Sequence, residues 1–196
     1  STLNEVDIAM SELLKHTNDI VLMQCNTNYT ASLENFKYIN LNVLKEYRRK
    51  YPDIILGLSD HTPGHATVLG AVTLGARAIE KHFTDDQTRE GPDHKFAMNP
   101  LTWREMVNRT QELVLAIGDG KKIVEPNEME SVIVQRRSIR AAKTLGSGQK
   151  ITADDITFLR PCTPQGLTPW ELQKLVGKTL CSDVLKGEEI TLNHVK

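Results

Sequence analysis

Gly57-Leu58-Ser59-Asp60-His61-Thr62 and Ile79-Glu80-Lys81-His82-Phe83 decide how this chain reads. Each stands at the end of an apolar run, Ile54-Ile55-Leu56 before the first and Ala76 to Ile79 at the start of the second. Short continuous apolar runs are the mark of strands in a buried parallel sheet. Two histidines, a serine and three charged neighbours therefore gather where two successive strands end. Side chains alternate across a strand. Ser59 thus shares a face with His61, and Glu80 shares one with His82. Asp60 and Lys81 point the other way. Ser59, His61, Glu80 and His82 are the candidates for chemistry, and Asp60 and Lys81 for bracing neighbouring helices or loops.

The flanking sequence alternates in the same sense over residues 1–118. Thr2 and Glu5 have capping-box spacing ahead of a helix predicted over 2–15, whose apolar face is Val6, Ala9, Met10, Leu13 and Leu14. A chain that opens on a helix cap is expected to be a piece of a longer one. Ile20 to Met23 predicts a strand, Gln24 to Asn35 a polar loop that carries Thr27, Asn28 and Tyr29. Helices are predicted over 39–50 and 65–75, strands over 54–58 and 77–83. A long loop, 84–98, holds the turn Gly91-Pro92-Asp93-His94. Asn99 and Pro100 then start a helix that Gly118 ends. Repeated βα units predict a parallel sheet. The pattern fits equally the edge of a small open sheet and the last three units of a (β/α)₈ barrel. In a barrel the strand ends lie side by side on the catalytic face.

Residues 119–135 read as a linker with a helical turn. Residues 136–196 contain an internal repeat, Gly148-Gln149-Lys150-Ile151-Thr152-Ala153-Asp154-Asp155-Ile156 against Gly187-Glu188-Glu189-Ile190-Thr191-Leu192-Asn193-His194-Val195. Short β elements are expected here, with a helix over 169–176.

Composition narrows the function classes. The 196 residues are 39% hydrophobic and 25% charged with a formal charge of -1. That gives no global electrostatic case for nucleic acid or an anionic membrane. No run of about 18 apolar residues is present, so no spanning helix is expected. Cys25, Cys162 and Cys181 lack CxxC spacing, which fits a reducing cytoplasm without a zinc knuckle. His61 and His82, on adjacent strand ends, can converge on one metal ion. Two protein ligands leave open positions, which suits catalytic Mn²⁺ or Mg²⁺ better than structural zinc. From the residues alone, two unrelated loop histidines remain the alternative.

Together the motifs resemble the sialic acid synthase family: Gly57 to Thr62, Glu80-Lys81-His82-Phe83-Thr84, Gly91 to His94, and in the last part Arg136-Arg137-Ser138 and Arg160-Pro161. The resemblance implies the C-terminal part of a (β/α)₈ TIM barrel (1–118), a linker (119–135) and a mostly-β SAF domain of the antifreeze-like, β-clip type (136–196). Earlier barrel strands, which hold phosphoenolpyruvate in the family, lie outside these residues. The implied reaction condenses phosphoenolpyruvate with an N-acetylmannosamine-type sugar to a nine-carbon ulosonic acid and phosphate. By position, His61 and His82 resemble the two metal ligands, with Mn²⁺ expected ahead of Mg²⁺. Ser59 and Thr27 resemble phosphoenolpyruvate contacts, although the family often has asparagine or serine in place of Thr27. Tyr29, Asp93 and Glu80 are expected among the catalytic residues, with Asp93 touching the sugar. Ala97 stands where serine is frequent. Arg160 resembles an arginine that reaches into a neighbouring subunit's barrel, which implies a domain-swapped homodimer. The resemblance leaves the acceptor sugar open. These residues alone are expected to be inactive, and the alternative function is a dimerisation or sugar-binding module.

Overall fold

The computed structural model describes residues 1–29 and 32–196. The chain divides into two units, Ser1–Lys121 and Lys122–Lys196.

In the first unit, α1 (Leu3–Leu13) begins on the expected cap: Thr2 Oγ1 accepts from Glu5 N–H, and the Glu5 carboxylate accepts from Thr2 N–H. The α1 residue Asp7 accepts from Lys50 and from the Tyr51 hydroxyl. The Lys50 ammonium, then the Tyr51 hydroxyl, hold the Asp7 carboxyl below its usual range. Three parallel strands follow, β1 (Val21–Cys25), β2 (Ile55–Asp60) and β3 (Ala78–Lys81), in spatial order β1-β2-β3. Between and after them run α2 (Val43–Lys50), α3 (Ala66–Thr73) and α4 (Pro100–Ile117). Asn99 caps α4 by accepting from Thr102 N–H. Leu56 and Leu58 point to the helices and meet Leu44, Tyr47, Ala71 and Ala76 in one core. A second cluster joins Val68, Met98 and Met106.

The strand boundaries differ from the sequence reading in ways that matter for the site. β1 runs through Gln24 and Cys25, because these pair in register with Leu58 and Ser59. β2 extends through Ser59 and Asp60, which pair with Glu80 and Lys81. The helix expected over 39–50 starts only at Val43. Asn40 has φ 50°, a left-handed conformation that no helix contains. A 3₁₀ turn over Leu33–Tyr38 precedes it. The strand runs look buried on both faces in sequence, yet Val21 is 44% and Ile55 50% exposed. Helices cover only the Leu56-Leu58 face among the described residues.

The second unit opens with a 3₁₀ turn (Pro126–Glu128) and α5 (Met129–Gln135), more helix than the single turn expected. The predicted helix at 169–176 is a 3₁₀ helix over Pro169–Lys174. Strands β4 (Ser138–Ala141) and β5 (Ile156–Leu159) pair antiparallel, and isolated bridges complete the network. The sequence repeat is a structural pseudo-dyad. Leu145 and Val184 exchange reciprocal N–H to O bonds of 2.9 Å. Gly148 and Gly187 both turn at φ 84°, a left-handed conformation open to glycine. Gly148 N–H donates to Leu180 O, Gly187 N–H to Ala141 O, both at 2.8 Å. Ala142 N–H bonds Asp155 O as Cys181 N–H bonds His194 O. The repeat isoleucines, Ile151 and Ile190, enter a common core with Ile139, Leu145, Leu175, Leu180 and Val184. No described helix is long and apolar enough to cross a membrane.

Candidate active site

Register builds the site in rows on the face of the sheet opposite the helices. Met23, Gly57 and Ala78 form one row, and Cys25, Ser59 and Glu80 form the next. Gly57 is dictated by space. A Cβ there would lie 2.8 Å from Ala78 O and 2.8 Å from Met23 Cγ. In the upper row the Ser59 hydroxyl donates to Glu80 Oε1 at 2.9 Å. Just beyond, the rings of His61 and His82 stand with centroids 5.0 Å apart. The Tyr29 ring lies 4.4 Å from His61 and 5.7 Å from His82.

Both imidazoles have their Nδ1 occupied. His61 Nδ1 is 2.8 Å from the Asn26 carbonyl oxygen. A carbonyl only accepts, so Nδ1 carries the proton and Nε2 presents a lone pair. His82 Nδ1 is 3.3 Å from the Asp93 carboxylate, which favours the same tautomer. Tethering one ring nitrogen to a carbonyl or carboxylate is how proteins aim the other at a metal. Among the described residues no group of three His, Cys, Asp or Glu side chains could hold an ion. The two imidazoles therefore fit a metal as a pair of donors, with the remaining positions left to substrate, water or residues elsewhere.

The opposite face carries Asp60 and Lys81 in a buried network. Lys81 Nζ lies 2.5 Å from Asp60 Oδ2 and 2.6 Å from Thr62 O. Thr62 and Thr67 hydroxyls donate to the same carboxylate at 2.6–3.0 Å. These two residues brace rather than line the site, as strand alternation requires.

The remaining candidates are placed as follows. Asp93, expected at the sugar, is drawn to His82. Thr27 is exposed in the loop after β1 and borders a cavity of about 560 Å³ with Met23, Gln24, Cys25, Asn26 and Tyr38. Arg160 is exposed in the second unit, just before Pro161. Ala97 is buried, and its carbonyl accepts from Gln87 at 2.8 Å. Three contributors escaped the sequence reading. Phe96 is buried with its ring 4.9 Å from His82. An aromatic in an otherwise polar loop was its one signal. Cys25 joins the Ser59–Glu80 row because β1 is longer than its apolar run. The Asn26 carbonyl carries no side-chain signature at all. The loop 84–98 is itself pinned: Met98 N–H donates to His82 O and Thr84 N–H to Met98 O, both at 2.8 Å.

Parallel βα units with titratable groups gathered at the carboxyl ends of the strands are the arrangement of a site in an α/β protein, open sheet or (β/α)₈ barrel alike. A small pseudo-symmetric β domain follows these units in sequence. The chain belongs to the NeuB family, the sialic acid synthases. The family model matches residues 1–122 and the SAF domain model matches residues 136–196. It is 33% identical over 177 residues to the N,N'-diacetyllegionaminic acid synthase of Legionella pneumophila, covering 90% of this chain and 48% of the relative. It is 33% identical over 178 residues to the human N-acetylneuraminate-9-phosphate synthase, covering 89% and 48%. A solved structure from Chromobacterium violaceum, named for spore coat polysaccharide biosynthesis protein E, superposes with a TM-score of 0.68 at 23% identity, over 100% of this chain and 58% of that one. The last shows the shared fold. The chain spans about half the length of the curated relatives it matches. The family decides between the barrel and the open sheet that the strands alone left equal.

Proposed function

We propose that the polypeptide carrying this chain condenses phosphoenolpyruvate with an N-acetylmannosamine-type sugar, releasing phosphate, as a step toward surface polysaccharide. The observation that carries this reading is the pair of tethered imidazoles, His61 and His82, beside the Ser59–Glu80 row in a NeuB-family chain. Their Nε2 atoms would hold a divalent metal, which would polarise the sugar aldehyde as a Lewis acid. Imidazole donors favour Mn²⁺ over Mg²⁺, which prefers oxygen ligands.

The methylene carbon of phosphoenolpyruvate bonds to the aldehyde carbon, water adds at the carbon bearing phosphate, and phosphate leaves with C–O cleavage. In this scheme the single Ser59 hydroxyl proton, given to Glu80 in the free site, turns to the phosphate or carboxylate of phosphoenolpyruvate when substrate binds, and Thr27 adds a second hydroxyl from the β1 loop. Asp93 orients His82 and receives a sugar hydroxyl. Tyr29 covers His61. Arg160 grips the N-acetyl group from a neighbouring subunit of a homodimer. The free thiols Cys25, Cys162 and Cys181 support a cytoplasmic setting. The acceptor stays at the level of an acetamido sugar, because the two synthase relatives are named for different products.

The test is phosphate release from phosphoenolpyruvate by the full-length polypeptide, with N-acetylmannosamine and its diacetamido-trideoxy relatives, with and without chelator. His61→Ala and His82→Ala are each expected to reduce turnover to background. Turnover that survives either substitution refutes the ligand assignment.

A further inference from the structure

We infer that the buried Asp60–Lys81 pair is a positioning device that sets the backbone of His61 against that of His82; the inference rests on the two-histidine reading above. The side chains of Lys81 and Asp60 are 1% and 0% exposed. Each immediately precedes one of the histidines in sequence. The Lys81 ammonium holds the residue before His61 through Asp60 Oδ2 (2.5 Å) and the residue after it through Thr62 O (2.6 Å). His61 is therefore straddled by two bonds to the side chain of the residue bonded to His82.

Asp60 is held in turn. Oδ1 accepts from Thr62 N–H at 3.1 Å and from its hydroxyl at 2.9 Å, while Oδ2 accepts from Thr67 at 2.6 Å. Among the described residues, the site-facing side chains of the two strand ends are joined above the Ser59–Glu80 bond by ring contacts of His61, His82 and Tyr29 and not by a hydrogen bond or ion pair.

Stability alone does not account for such a pair. Taking two charges out of water costs as much as their attraction returns, and apolar residues of the same volume serve folding as well or better. What apolar residues cannot supply is direction: two short, charge-assisted bonds, one to the Asp60 carboxylate and one to the Thr62 backbone carbonyl. The geometry they fix is the one a metal held by two imidazoles requires; partners bonded directly to a ligating imidazole affect affinity about 10- to 100-fold, and this pair acts one step further out, through the chain on either side of His61.

The test measures Mn²⁺ alone binding to the full-length polypeptide by electron paramagnetic resonance, alongside the urea midpoint. Lys81→Met leaves a buried carboxylate unpaired and is expected to unfold or weaken the protein. The decisive variant is the double Asp60→Asn, Lys81→Met, which keeps volume and removes both charges. It is expected to fold with a lowered midpoint, because the amide weakens the Thr62 and Thr67 bonds and Thr62 O loses its donor, and to bind Mn²⁺ about tenfold more weakly, the lower end for partners bonded to the ligand itself. A folded double variant that binds within twofold of wild type overturns the inference. So does a double variant that fails to fold, because the pair would then serve folding itself. His61→Ala separates the two levels: if it binds Mn²⁺ as wild type does, the metal reading fails, whatever the double variant shows.

Discussion

Gly57→Ala probes the packing beneath the site. Gly57 sits in the middle strand, one row below Ser59 and on the same face. Its missing side chain lets β1 and β3 close on β2. The added methyl would stand 2.8 Å from Ala78 O, 2.8 Å from Met23 Cγ and 3.3 Å from Ala78 Cβ. Met23 can swing aside, but Ala78 O is backbone in the ladder partner of Gly57. Overpacking of this sort costs about 1–3 kcal/mol. Alanine regains part of that, about 0.4–1 kcal/mol, by restricting the unfolded chain. The net expectation is a loss of about 1.3 kcal/mol, or about 0.6 M in urea midpoint for an m-value of about 2 kcal/mol/M. The two tryptophans make the assay specific. Trp103 packs in the first unit, while Trp170 belongs to the second and is 78% exposed. Trp103 fluorescence in a Trp170→Phe background therefore reports the first unit of the 196-residue chain. Adding Met23→Ala should relieve the side-chain clash and leave the carbonyl clash, so less than half of the loss should return. A Gly57→Ala midpoint within about 0.2 M of its parent refutes the close-packing argument.

Two further predictions concern the second unit. The pseudo-dyad places His194 where Asp155 stands in the first half, and Thr191 N–H donates to the His194 ring at 3.1 Å where Thr152 N–H donates to the Asp155 carboxylate at 2.8 Å. His194→Asp replaces a neutral acceptor by a charged one and is expected to stabilise the unit by about 0.5–1 kcal/mol, read as a higher urea midpoint in circular dichroism. Acid should do the reverse to Asp155, whose carboxyl is held down to about 2 by the Lys143 ammonium and then by the Thr152 N–H and hydroxyl. Its folded value lies below the unfolded one of about 3.9, so its contribution is complete above that value and is lost as the pH falls from about 4 to 2. Melting temperature against pH should drop through this window, and Asp155→Asn should flatten the drop.

Strand alternation was legible because it follows from backbone geometry. Ser59 and Glu80 meet on one face and Asp60 and Lys81 on the other, as period two demands. The repeat was legible because glycine at a left-handed turn and isoleucine in a core are local requirements, met at Gly148 and Ile151 and again at Gly187 and Ile190. What stayed hidden depends on contacts distant in sequence. The left-handed Asn40 that shortens α2 has no local marker beyond being asparagine. The return of Met98 onto the end of β3, which carries Phe96 against His82, is a property of the closed loop. The Asn26 carbonyl that fixes the His61 tautomer is backbone, and backbone roles leave no letter in a sequence. Closure into a barrel is decided by strand number, which three strands cannot express.

The two motifs that decide the fold also divide labour residue by residue. In Ser59-Asp60-His61-Thr62 and Glu80-Lys81-His82, one set of alternate residues meets the site and the other meets the protein. Substitutions should separate accordingly. Changes at Ser59, Glu80 and His82 remove groups outside the buried clusters, so they should lower turnover at little cost in stability, whereas a change at the buried His61 should lower both. Thr62→Val offers the sharpest contrast. It removes one hydroxyl from the Asp60 carboxylate and leaves that carboxylate its bonds from Lys81, Thr67 and the Thr62 N–H. The loss of a buried charged-acceptor bond is worth about 1.5–3 kcal/mol, and the bonds of Lys81 to either side of His61 survive. Thr62→Val should therefore lower the urea midpoint while keeping Mn²⁺ affinity within about threefold of wild type, whereas the Asp60→Asn, Lys81→Met double variant should lower both. If Thr62→Val weakened metal binding as strongly as that variant does, the clamp would lie in the carboxylate's hydroxyl partners and not in the lysine that spans the two strands.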